Sequence, residues 1–405
     1  MKIMQINCVY NTGSTGKLTY CIHKKLIDSG MDSVICYGRG EKVNDKNIYK
    51  VCSELFAKAN NLVSRFTGVI YGGCFFSTKK LLKVIKNENP DVVHIQCING
   101  YFVNIYKLVD WLKKNKVSTV ITLHAEFMYT ANCSHSFDCT KWKEGCGKCS
   151  SLKNATGSLL FDRTDVSFER MKKAFENFDN VIIISVSEWL KKRAEQSAIL
   201  KNKSHKVILN GVDTGIYSYY ENAKIKNRYC KEDEKLILHV TPYFSNQEND
   251  VKGGIWILKL AERLQKYNYK VVIAGENRVL DEVPSNIVFL GKINDEVELA
   301  KLYSSADLTL ITSRRETFSM IVAESLCCGT PIVGFKAGAP EEIGILEYCS
   351  FVEYGNLDGL VKEVVDRINN PICKKKIEEG ARKKYSSETM FKQYLETYES
   401  LCDKK

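Results

Sequence analysis

The stretch SRRETFSMIVAESLCCGTPIVGF, residues 313–335, decides the fold of this chain. It predicts a helix that begins at Thr317 or Ser319 and ends at Gly329, because Pro331 follows as a helix breaker. The apolar run TPIVGF that comes next has the composition of a buried strand. The stretch therefore predicts one helix–strand unit of an α/β sheet.

The same alternation continues outward from this stretch to both ends of the chain. The predicted strands are 2–8, 32–38, 91–97, 118–124, 180–186, 206–210, 235–241, 269–275, 286–291, 306–312 and 330–335. The predicted helices include 103–114, 165–177, 187–199, 253–266, 295–304, 318–328, 370–384 and 387–403. Apolar strands that alternate with helices are typical of parallel sheets covered on both faces.

The alternation occurs twice, and a weaker stretch at 211–233 separates the two halves. A chain of 405 residues is also too long for one ordinary core. We therefore predict an α/β protein of two doubly wound, Rossmann-like domains facing a cleft, with ligands at the carboxyl ends of the strands. The predicted parts are a first domain at 1–207, a second at 208–386, and a C-terminal helix at 387–405 that packs back on the first domain.

Composition and charge narrow the class of protein. Charged residues make up 26% of the chain and hydrophobic residues 44%, as in a soluble enzyme. No apolar run reaches the ~18 residues of a membrane helix, and the N-terminus lacks the apolar core of a signal peptide. We therefore expect a cytoplasmic protein.

The net charge of +11 is scattered over Lys-rich segments. No RNA-binding motif or zinc finger with paired His accompanies it, so nucleic acid is not an expected partner. Solvated helix faces are the simplest interpretation of the charge. An anionic membrane surface at the inner face of the plasma membrane, contacted by basic faces at 107–116 and 187–193, is the second interpretation.

The segment NTGSTGKLTY, residues 11–20, nearly matches a phosphate-binding P-loop. A P-loop requires G-x-x-x-x-G-K-[ST], but Asn11 replaces its first Gly and Leu18 replaces the hydroxyl that holds Mg²⁺. The dinucleotide pattern G-x-G-x-x-G also fails, since only Gly13 and Gly16 are present. What remains is a strand, a Gly-rich turn and a helix N-terminus, which together favour close approach of an anion or sugar.

Two carboxylates lie eight positions apart in the opening stretch, at Glu316 and Glu324. Glu316 precedes the helix, where the backbone amides of Phe318, Ser319 and Met320 would attract a phosphate. Such a pair alone is usually a solvated helix face. A carboxylate beside a helix N-terminus can, however, accept hydrogen bonds from sugar hydroxyls, and a second carboxylate further along the helix can bind a ribose diol.

This spacing resembles the E-x7-E motif of retaining glycosyltransferases of family four, whose two-domain fold is called GT-B. Further motifs follow in the order of that family and span roughly residues 8 to 345: STGK at 14–17, TLH at 122–124, NGVD at 210–213, VKGG at 251–254 and GAPEEI at 338–343. The resemblance implies a bacterial surface-polysaccharide transferase.

The resemblance also implies roles for the donor-binding residues. Glu324 would bind the ribose hydroxyls of a nucleotide-sugar, and Glu316 would bind hydroxyls of the donor sugar. Lys252 would neutralise the leaving diphosphate together with the amides at 318–320, where charge grows in the transition state.

On the first domain, His124 would contact the donor sugar near the reacting carbon. Gly13 and Gly16 would let the N-terminal loop approach donor and acceptor. The family is metal-independent, and the chain has no D-x-D carboxylate pair, so no cofactor is expected for catalysis.

Three departures from the family pattern stand out. The family usually has an Arg shortly before VKGG, and here either Arg314 or Arg315 substitutes from elsewhere or the phosphate site is weaker. Ala125 follows the strand-end His where an acidic residue is common. Ser319 occupies a position often held by Gly or Pro, which we expect to be a mild change.

Sixteen Cys in a cytoplasmic protein are expected as buried thiols, but one cluster differs. Cys133, Cys139, Cys146 and Cys149 lie within seventeen residues of an insertion at 131–150. The C-x-x-C pair is a good half-site for tetrahedral zinc, whereas the C-x5-C pair is looser. A structural zinc site, two disulfides and buried thiols all remain open.

The sequence thus predicts a retaining glycosyltransferase that moves a hexose from a UDP- or GDP-sugar to a glycan or lipid-diphosphate-linked acceptor. The expected setting is capsule or exopolysaccharide biosynthesis. A nucleotide-sugar epimerase of the same fold and a non-catalytic nucleotide-sugar-binding protein are the alternatives.

Overall fold

The structure is a computed structural model that describes residues 1–221, 225–277 and 282–403. Within these residues the chain forms two compact units. The first unit contains Met1–Leu209 and the segment from Phe391 onward, and the second contains Asn210–Met390. The first division, after Leu209, lies two residues from the predicted boundary after 207, and the second, after Met390, lies four residues from the predicted boundary after 386. Residues 222–224 of the predicted junction stretch and 404–405 of the predicted last segment lie outside the described residues.

The first unit is built on a parallel sheet, which has seven strands in the described residues. They are β1 (Lys2–Asn7), β2 (Asp32–Tyr37), β3 (Ile48–Lys50), β4 (Val92–Ile95), β5 (Ser118–Leu123), β6 (Val181–Ser185) and β7 (Ser204–Val207). Their spatial order is β3-β2-β1-β4-β5-β6-β7, and each neighbouring pair is parallel. The strand order therefore reverses between β1 and β4.

Helices connect and cover these strands. They are α1 (Gly13–Asp28), α2 (Glu54–Thr67), α3 (Phe75–Glu88), α4 (Ile105–Lys114), α5 (Phe127–Thr130), α6 (Leu152–Thr156), α7 (Thr164–Phe175) and α8 (Glu188–Ala194). Three of them begin with a side-chain cap, in which Ser53, Asn104 or Ser187 accepts a hydrogen bond from an amide of the first turn.

The second unit repeats the design with a six-stranded parallel sheet in its described residues. Its strands are β8 (Lys235–Phe244), β9 (Tyr269–Asn277), β10 (Ile287–Gly291), β11 (Leu308–Ile311), β12 (Ile332–Phe335) and β13 (Cys349–Val352). Its helices are α9 (Gly254–Leu264), α10 (Glu296–Ser305), α11 (Met320–Cys327), α12 (Pro340–Ile343), α13 (Leu357–Asn369) and α14 (Lys374–Tyr385). The spatial order is β10-β9-β8-β11-β12-β13, so it reverses between β8 and β11.

A final helix, α15 (Ser387–Cys402), starts in the second unit and ends in the first. Its Tyr394 and Tyr398 are fully buried and pack on His94 of β4. The C-terminal helix is therefore part of the core of the first unit.

The prediction of two parallel-sheet, Rossmann-like domains is confirmed, and each predicted strand has an observed counterpart. β3 and β13 were not predicted, because each has only three or four residues and carries half-buried side chains. Helices α2, α3 and α13 were also absent from the predictions. Of these, α2 buries only Ala57 and Ser64, so no apolar stripe marks its inner face.

Candidate active site

The predicted donor-binding residues of the second unit follow two neighbouring strands. Lys252 lies between β8 and α9, and Glu316 lies between β11 and α11. β8 and β11 pair in parallel at the point where the strand order reverses. Connections leave such a point in opposite directions, which opens a crevice at the carboxyl ends of the strands. The structure therefore brings Lys252 and Glu316 to the ligand-binding position of a doubly wound sheet.

Lys252 and Glu316 form an ion pair. Lys252 Nζ donates to Glu316 Oε1 at 2.7 Å, and the two side chains are 31% and 15% exposed. A pair this open to water contributes about 0–1 kcal/mol to folding. The ammonium group can therefore exchange the carboxylate for a phosphate oxygen at little cost in stability.

Gly253 allows the loop of Lys252 to lie against the neighbouring strand end. Its φ of +69° lies in the left-handed region, and a Cβ atom there would lie 2.1 Å from the carbonyl oxygen of Thr312. Thr312 Oγ1 in turn donates to the carbonyl of Lys252 at 3.2 Å. Only Gly fits this contact. The VKGG motif is thus a structural requirement for placing Lys252 beside the loop after β11.

The backbone around Glu316 is held by the GAPEEI segment. The Glu316 amide donates to the Ala337 carbonyl at 2.9 Å, and the Ala339 amide donates back to the Glu316 carbonyl at 3.3 Å. The Glu341 carboxylate accepts from the amides of Ala337 and Gly338, both at 2.9 Å. Sequence analysis quoted this motif but missed Glu341 as a positioning residue.

The helix that carries Glu324 begins at Met320, one to three residues later than predicted, and ends at Cys327, two residues before Gly329. In its first turn the Val322 amide donates to the Ser319 carbonyl at 3.2 Å. The backbone amides at the start of a helix attract anions. Phe318 is buried before the helix, and Met320 is half-buried.

Ser319 is a larger departure than the mild change that we expected. Its φ of +85° lies in a region that disfavours every residue except Gly, at a cost of about 1–3 kcal/mol. Its hydroxyl oxygen is buried and has no hydrogen-bond partner in the described residues. A Gly at this position would therefore relieve backbone strain, whereas a Pro could not adopt this φ.

Glu324 is half-buried one turn into α11. Tyr303 of α10 donates from its hydroxyl to Glu324 Oε2 at 3.2 Å. Burial, followed by the charge of Glu324, raises the pKa of Tyr303, so its hydroxyl remains a donor. An ionised carboxylate has about four lone-pair sites, so Glu324 can accept from a ligand hydroxyl in addition to this bond.

Arg314 lies beside the loop that carries Lys252, because its amide donates to the Val251 carbonyl at 2.8 Å. Its side chain is exposed, whereas that of Arg315 is half-buried. Of the two predicted substitutes for the missing Arg, Arg314 thus has backbone contact with the VKGG loop.

In the first unit, Gly13 and Gly16 lie at the start of α1, directly after β1. Gly13 has a φ of +62°, and a Cβ atom added there would meet no atom within 4 Å. Glycine is therefore favoured at this position by the backbone conformation and not by lack of space. A Cβ on Gly16 would lie 3.1 Å from Val9 Cγ2 and 3.3 Å from the Asn11 amide nitrogen. Gly16 therefore allows a close approach of the loop to the helix.

His124 follows β5 and belongs to a buried chain of hydrogen bonds. Gln5 donates from Nε2 to the Thr19 carbonyl at 3.1 Å. Gln96 donates from Nε2 to Gln5 Oε1 at 3.1 Å, and Gln96 Oε1 lies 2.8 Å from His124 Nε2. Burial lowers the pKa of His124 to about 4, so the ring is neutral at physiological pH.

A second histidine, His94 of β4, continues this network toward α15. Its Nδ1 lies 2.7 Å from the Tyr398 hydroxyl, and its Nε2 lies 2.8 Å from Thr122 Oγ1. Thr122 Oγ1 also lies 2.9 Å from the Tyr394 hydroxyl. Sequence analysis missed these residues and Gln96. The one available signal was that DVVHIQC places His and Gln within an otherwise apolar strand.

The four predicted zinc ligands receive no support from the geometry. Cys133 and Cys146 both lie close to Thr130, and burial raises their pKa values to about 12 and about 11. Cys139 is exposed and Cys149 half-buried. Among the described residues no three His, Cys, Asp or Glu side chains come together as metal ligands. The zinc site stays a prediction.

The architecture of the two units is that of GT-B glycosyltransferases. The crystal structure of HepE from Anabaena in complex with UDP-glucose has a TM-score of 0.67 to this chain. That comparison covers 99% of this chain and 100% of HepE, at 14% sequence identity.

Residues 226–384, a segment of the second unit, match the family Glycosyl transferases group 1. WcaC of Escherichia coli (strain K12), named a putative colanic acid biosynthesis glycosyl transferase, is 21% identical over 419 residues, or 99% of this chain and 100% of WcaC. An uncharacterized 41.2 kDa protein in the cps region of Klebsiella pneumoniae is 24% identical over 365 residues, or 88% of this chain and 89% of that protein.

Proposed function

We propose that this protein is a glycosyltransferase that moves a hexose, with retention of configuration, from a UDP- or GDP-sugar to a glycan or lipid-diphosphate-linked acceptor. The observation that carries the proposal is the Lys252–Glu316 pair at the point where the strand order of the second sheet reverses. A cation, a carboxylate and the N-terminus of α11 follow the same two strands. This set of groups suits a ligand that carries both a diphosphate and sugar hydroxyls.

In the proposed donor complex, Lys252 turns from Glu316 to the diphosphate, assisted by the first amides of α11 and by Arg314. Glu316 then accepts hydrogen bonds from the donor sugar, and Glu324 accepts them from the ribose. As the bond between the sugar and the diphosphate breaks, negative charge grows on the phosphate oxygens. Fixed positive groups stabilise that charge without reorganising, which lowers the barrier.

On the side of the first unit, we propose that neutral His124 accepts a hydrogen bond from a hydroxyl of the donor sugar. The depressed pKa supports this role, because an imidazolium would repel the oxocarbenium-like centre. Gly13 and Gly16 leave room for sugar at the start of α1. No step in this scheme requires a metal ion.

The first unit also offers a place for the acceptor. A cavity of about 280 Å³ is lined by Ile70, Tyr71, Asn99, Tyr101, Asn132, Ser134 and 154–157. Amide and hydroxyl groups predominate in this lining, and they match the hydroxyls of a glycan in hydrogen-bonding capacity. We propose that the acceptor glycan binds here.

The comparisons support the donor class and the setting of this proposal. HepE was crystallised with UDP-glucose, which favours a UDP-sugar. WcaC is named for colanic acid biosynthesis, and the Klebsiella relative for a cps region, which favours assembly of a capsule or exopolysaccharide. The site of action that we propose is the cytoplasmic side of the plasma membrane.

The test is thermal stabilisation by UDP, GDP, ADP and their sugar conjugates, without added metal. We expect one nucleotide to raise the melting temperature by mass action, and Glu324→Ala to abolish the shift. Glu347→Ala is the control, because Glu347 is an exposed acidic residue of the same unit and pairs only weakly with Lys376 at 3.7 Å. A wild type that responds to no nucleotide would overturn the donor assignment. Epimerised sugar nucleotide without an acceptor would favour the epimerase instead.

A further inference from the structure

Helix α2 presents its apolar side to solvent. Leu55, Leu62, Val63 and Phe66 are between 47% and 81% exposed. Leu62, Val63 and Phe66 follow Leu55 by seven, eight and eleven residues, a spacing that places all four side chains on one face of the helix. The opposite face, which packs on the unit, buries only Ala57 and Ser64. An ordinary surface helix has the reverse arrangement.

Two neighbouring segments extend this apolar face. Phe75 and Phe76 are exposed at the start of α3, and the Phe76 ring lies 5.9 Å from that of Phe56. On the other side, the exposed segment 159–161 (LLF) is fixed to the end of α2, because the Leu159 amide donates to the Arg65 carbonyl at 2.8 Å. We call the exposed side chains of α2, Phe75, Phe76 and 159–161 the apolar surface.

Basic side chains border the apolar surface. Lys107 Nζ lies 4.9 Å from the centre of the Phe75 ring, and the Arg163 guanidinium lies 5.8 Å from that of Phe161. Segment 54–88 carries six Lys or Arg residues but only two Asp or Glu residues. An apolar stripe flanked by cations is complementary to an anionic bilayer, where the stripe enters the acyl boundary and the cations contact the headgroups.

We propose that the apolar surface docks the protein on an anionic membrane, with α2 lying in the plane of the interface. This is a different location from the basic faces that sequence analysis suggested. In those faces Lys113 donates to the carbonyls of Lys173 and Glu176, and Arg193 pairs with the fully buried Glu126 at 3.2 Å. These charges are already occupied within the protein.

The apolar surface also borders the cavity proposed for the acceptor. Ile70 and Tyr71 of the cavity wall follow α2 by three and four residues, and Gly157 precedes segment 159–161 by two. A lipid-linked acceptor could thus keep its chain in the bilayer while its glycan enters the cavity. This last step rests on the proposed function, whereas membrane docking does not.

The test is co-sedimentation of the full chain with vesicles of phosphatidylcholine that contain about 30% phosphatidylglycerol, without sugar donor. The double variant Leu62→Gln/Phe66→Gln removes two apolar side chains from the surface without changing charge. Val283→Gln/Leu346→Gln is the matched control, because both residues are exposed apolar residues of the second unit. Phe75→Ser/Phe76→Ser tests the surface through a different segment.

We expect wild type and control to bind alike, and both surface variants to need at least about tenfold more lipid. Equal binding by the surface variants, or no binding of the wild type, would overturn the proposal. A wild type that light scattering shows to be a dimer, with Leu62→Gln/Phe66→Gln monomeric, would overturn it in favour of a contact between two copies. Nucleotide-induced stabilisation, measured in parallel, is independent of these outcomes and reports on the proposed function alone.

Discussion

Gln96 Oε1 lies 2.8 Å from His124 Nε2, and this contact determines which ring nitrogen carries the proton. The carbonyl of Thr19 can only accept, so the amide nitrogen of Gln5 faces it and Gln5 Oε1 faces Gln96. Gln96 must then donate to Gln5 with its own nitrogen and offer its oxygen to His124. Neutral His124 is therefore protonated at Nε2, and its Nδ1 is an acceptor.

We expect nitrogen NMR of the protein labelled at its six histidines to show the Nε2–H tautomer for His124 at neutral pH. His124→Asn assigns the signal. In Gln96→Glu the carboxylate favours the imidazolium, so the pKa of His124 should rise from about 4 toward the ordinary value of 6.5. Gln96→Leu is the control: it removes the hydrogen bond to His124 without adding a negative charge. An Nδ1–H signal in the wild type would contradict the hydrogen-bond chain.

Stability should fall on mild acidification. Burial, and then the nearby His124, lower the pKa of His94 from the ordinary 6.5 to about 3. Below pH of about 6.5 the unfolded chain therefore binds a proton that the folded chain excludes, and stability is lost as the pH falls toward the folded pKa. We expect the melting temperature to decrease between about pH 7 and pH 4.5, and less steeply in His94→Gln. Equal slopes would show that His94 is not a source of the acid sensitivity.

Replacement of Lys252 should weaken nucleotide binding much more than it weakens folding. A charge-assisted hydrogen bond to phosphate contributes about 1.5–3 kcal/mol, so Lys252→Ala should lower the affinity for the stabilising nucleotide at least about tenfold in calorimetry. Its free energy of unfolding should change by less than about 1 kcal/mol, since the ion pair is partly exposed. Lys292→Ala is the control, because Lys292 also pairs with a Glu in the second unit. An unchanged affinity would remove Lys252 from the donor site.

Gly253→Ala should destabilise the second unit severely. The added Cβ meets the Thr312 carbonyl oxygen at 2.1 Å, so the loop has to move, at an expected cost of at least about 2 kcal/mol in urea unfolding. Gly291→Ala is a matched control, with a similar φ of +71° but no atom within 4 Å of the new Cβ. It should cost about 1 kcal/mol from backbone strain alone. Equal effects would mean that the contact with Thr312 is unimportant.

Local patterns explain what sequence analysis predicted correctly. Apolar runs spaced by amphipathic helices predicted both parallel sheets, because strands buried on two faces form nearly continuous apolar runs. The spacing of Glu316 and Glu324 predicted that both belong to one loop–helix segment, which the structure shows. The VKGG motif identified Lys252 as a candidate residue. The motif is visible in the sequence because the loop requires Gly253 where it meets Thr312.

The partners of His124 and His94 could not be predicted, because their hydrogen bonds join residues far apart in the chain. Gln96 and Gln5 are 91 residues apart, and His94 and Tyr398 are 304 apart. Each side chain on its own is a plausible residue of a buried strand or helix. The pairing of β1, β4 and β5 joins Gln5, Gln96 and His124, and the packing of α15 against this sheet adds Tyr394 and Tyr398 to the network.

By itself, the sequence determined the order of eleven strands, the two-sheet class and the residues at the carboxyl ends of β8 and β11. The tertiary structure decided what each surface contacts, and α2 is the clearest case. Periodicity shows that Leu55, Leu62, Val63 and Phe66 share one face of a helix, and that pattern alone would predict a buried face. The structure instead packs the helix through Ala57 and Ser64 and leaves the apolar face exposed. The physical reason is that a periodic pattern defines a face, whereas the neighbouring elements decide whether protein or solvent lies against it.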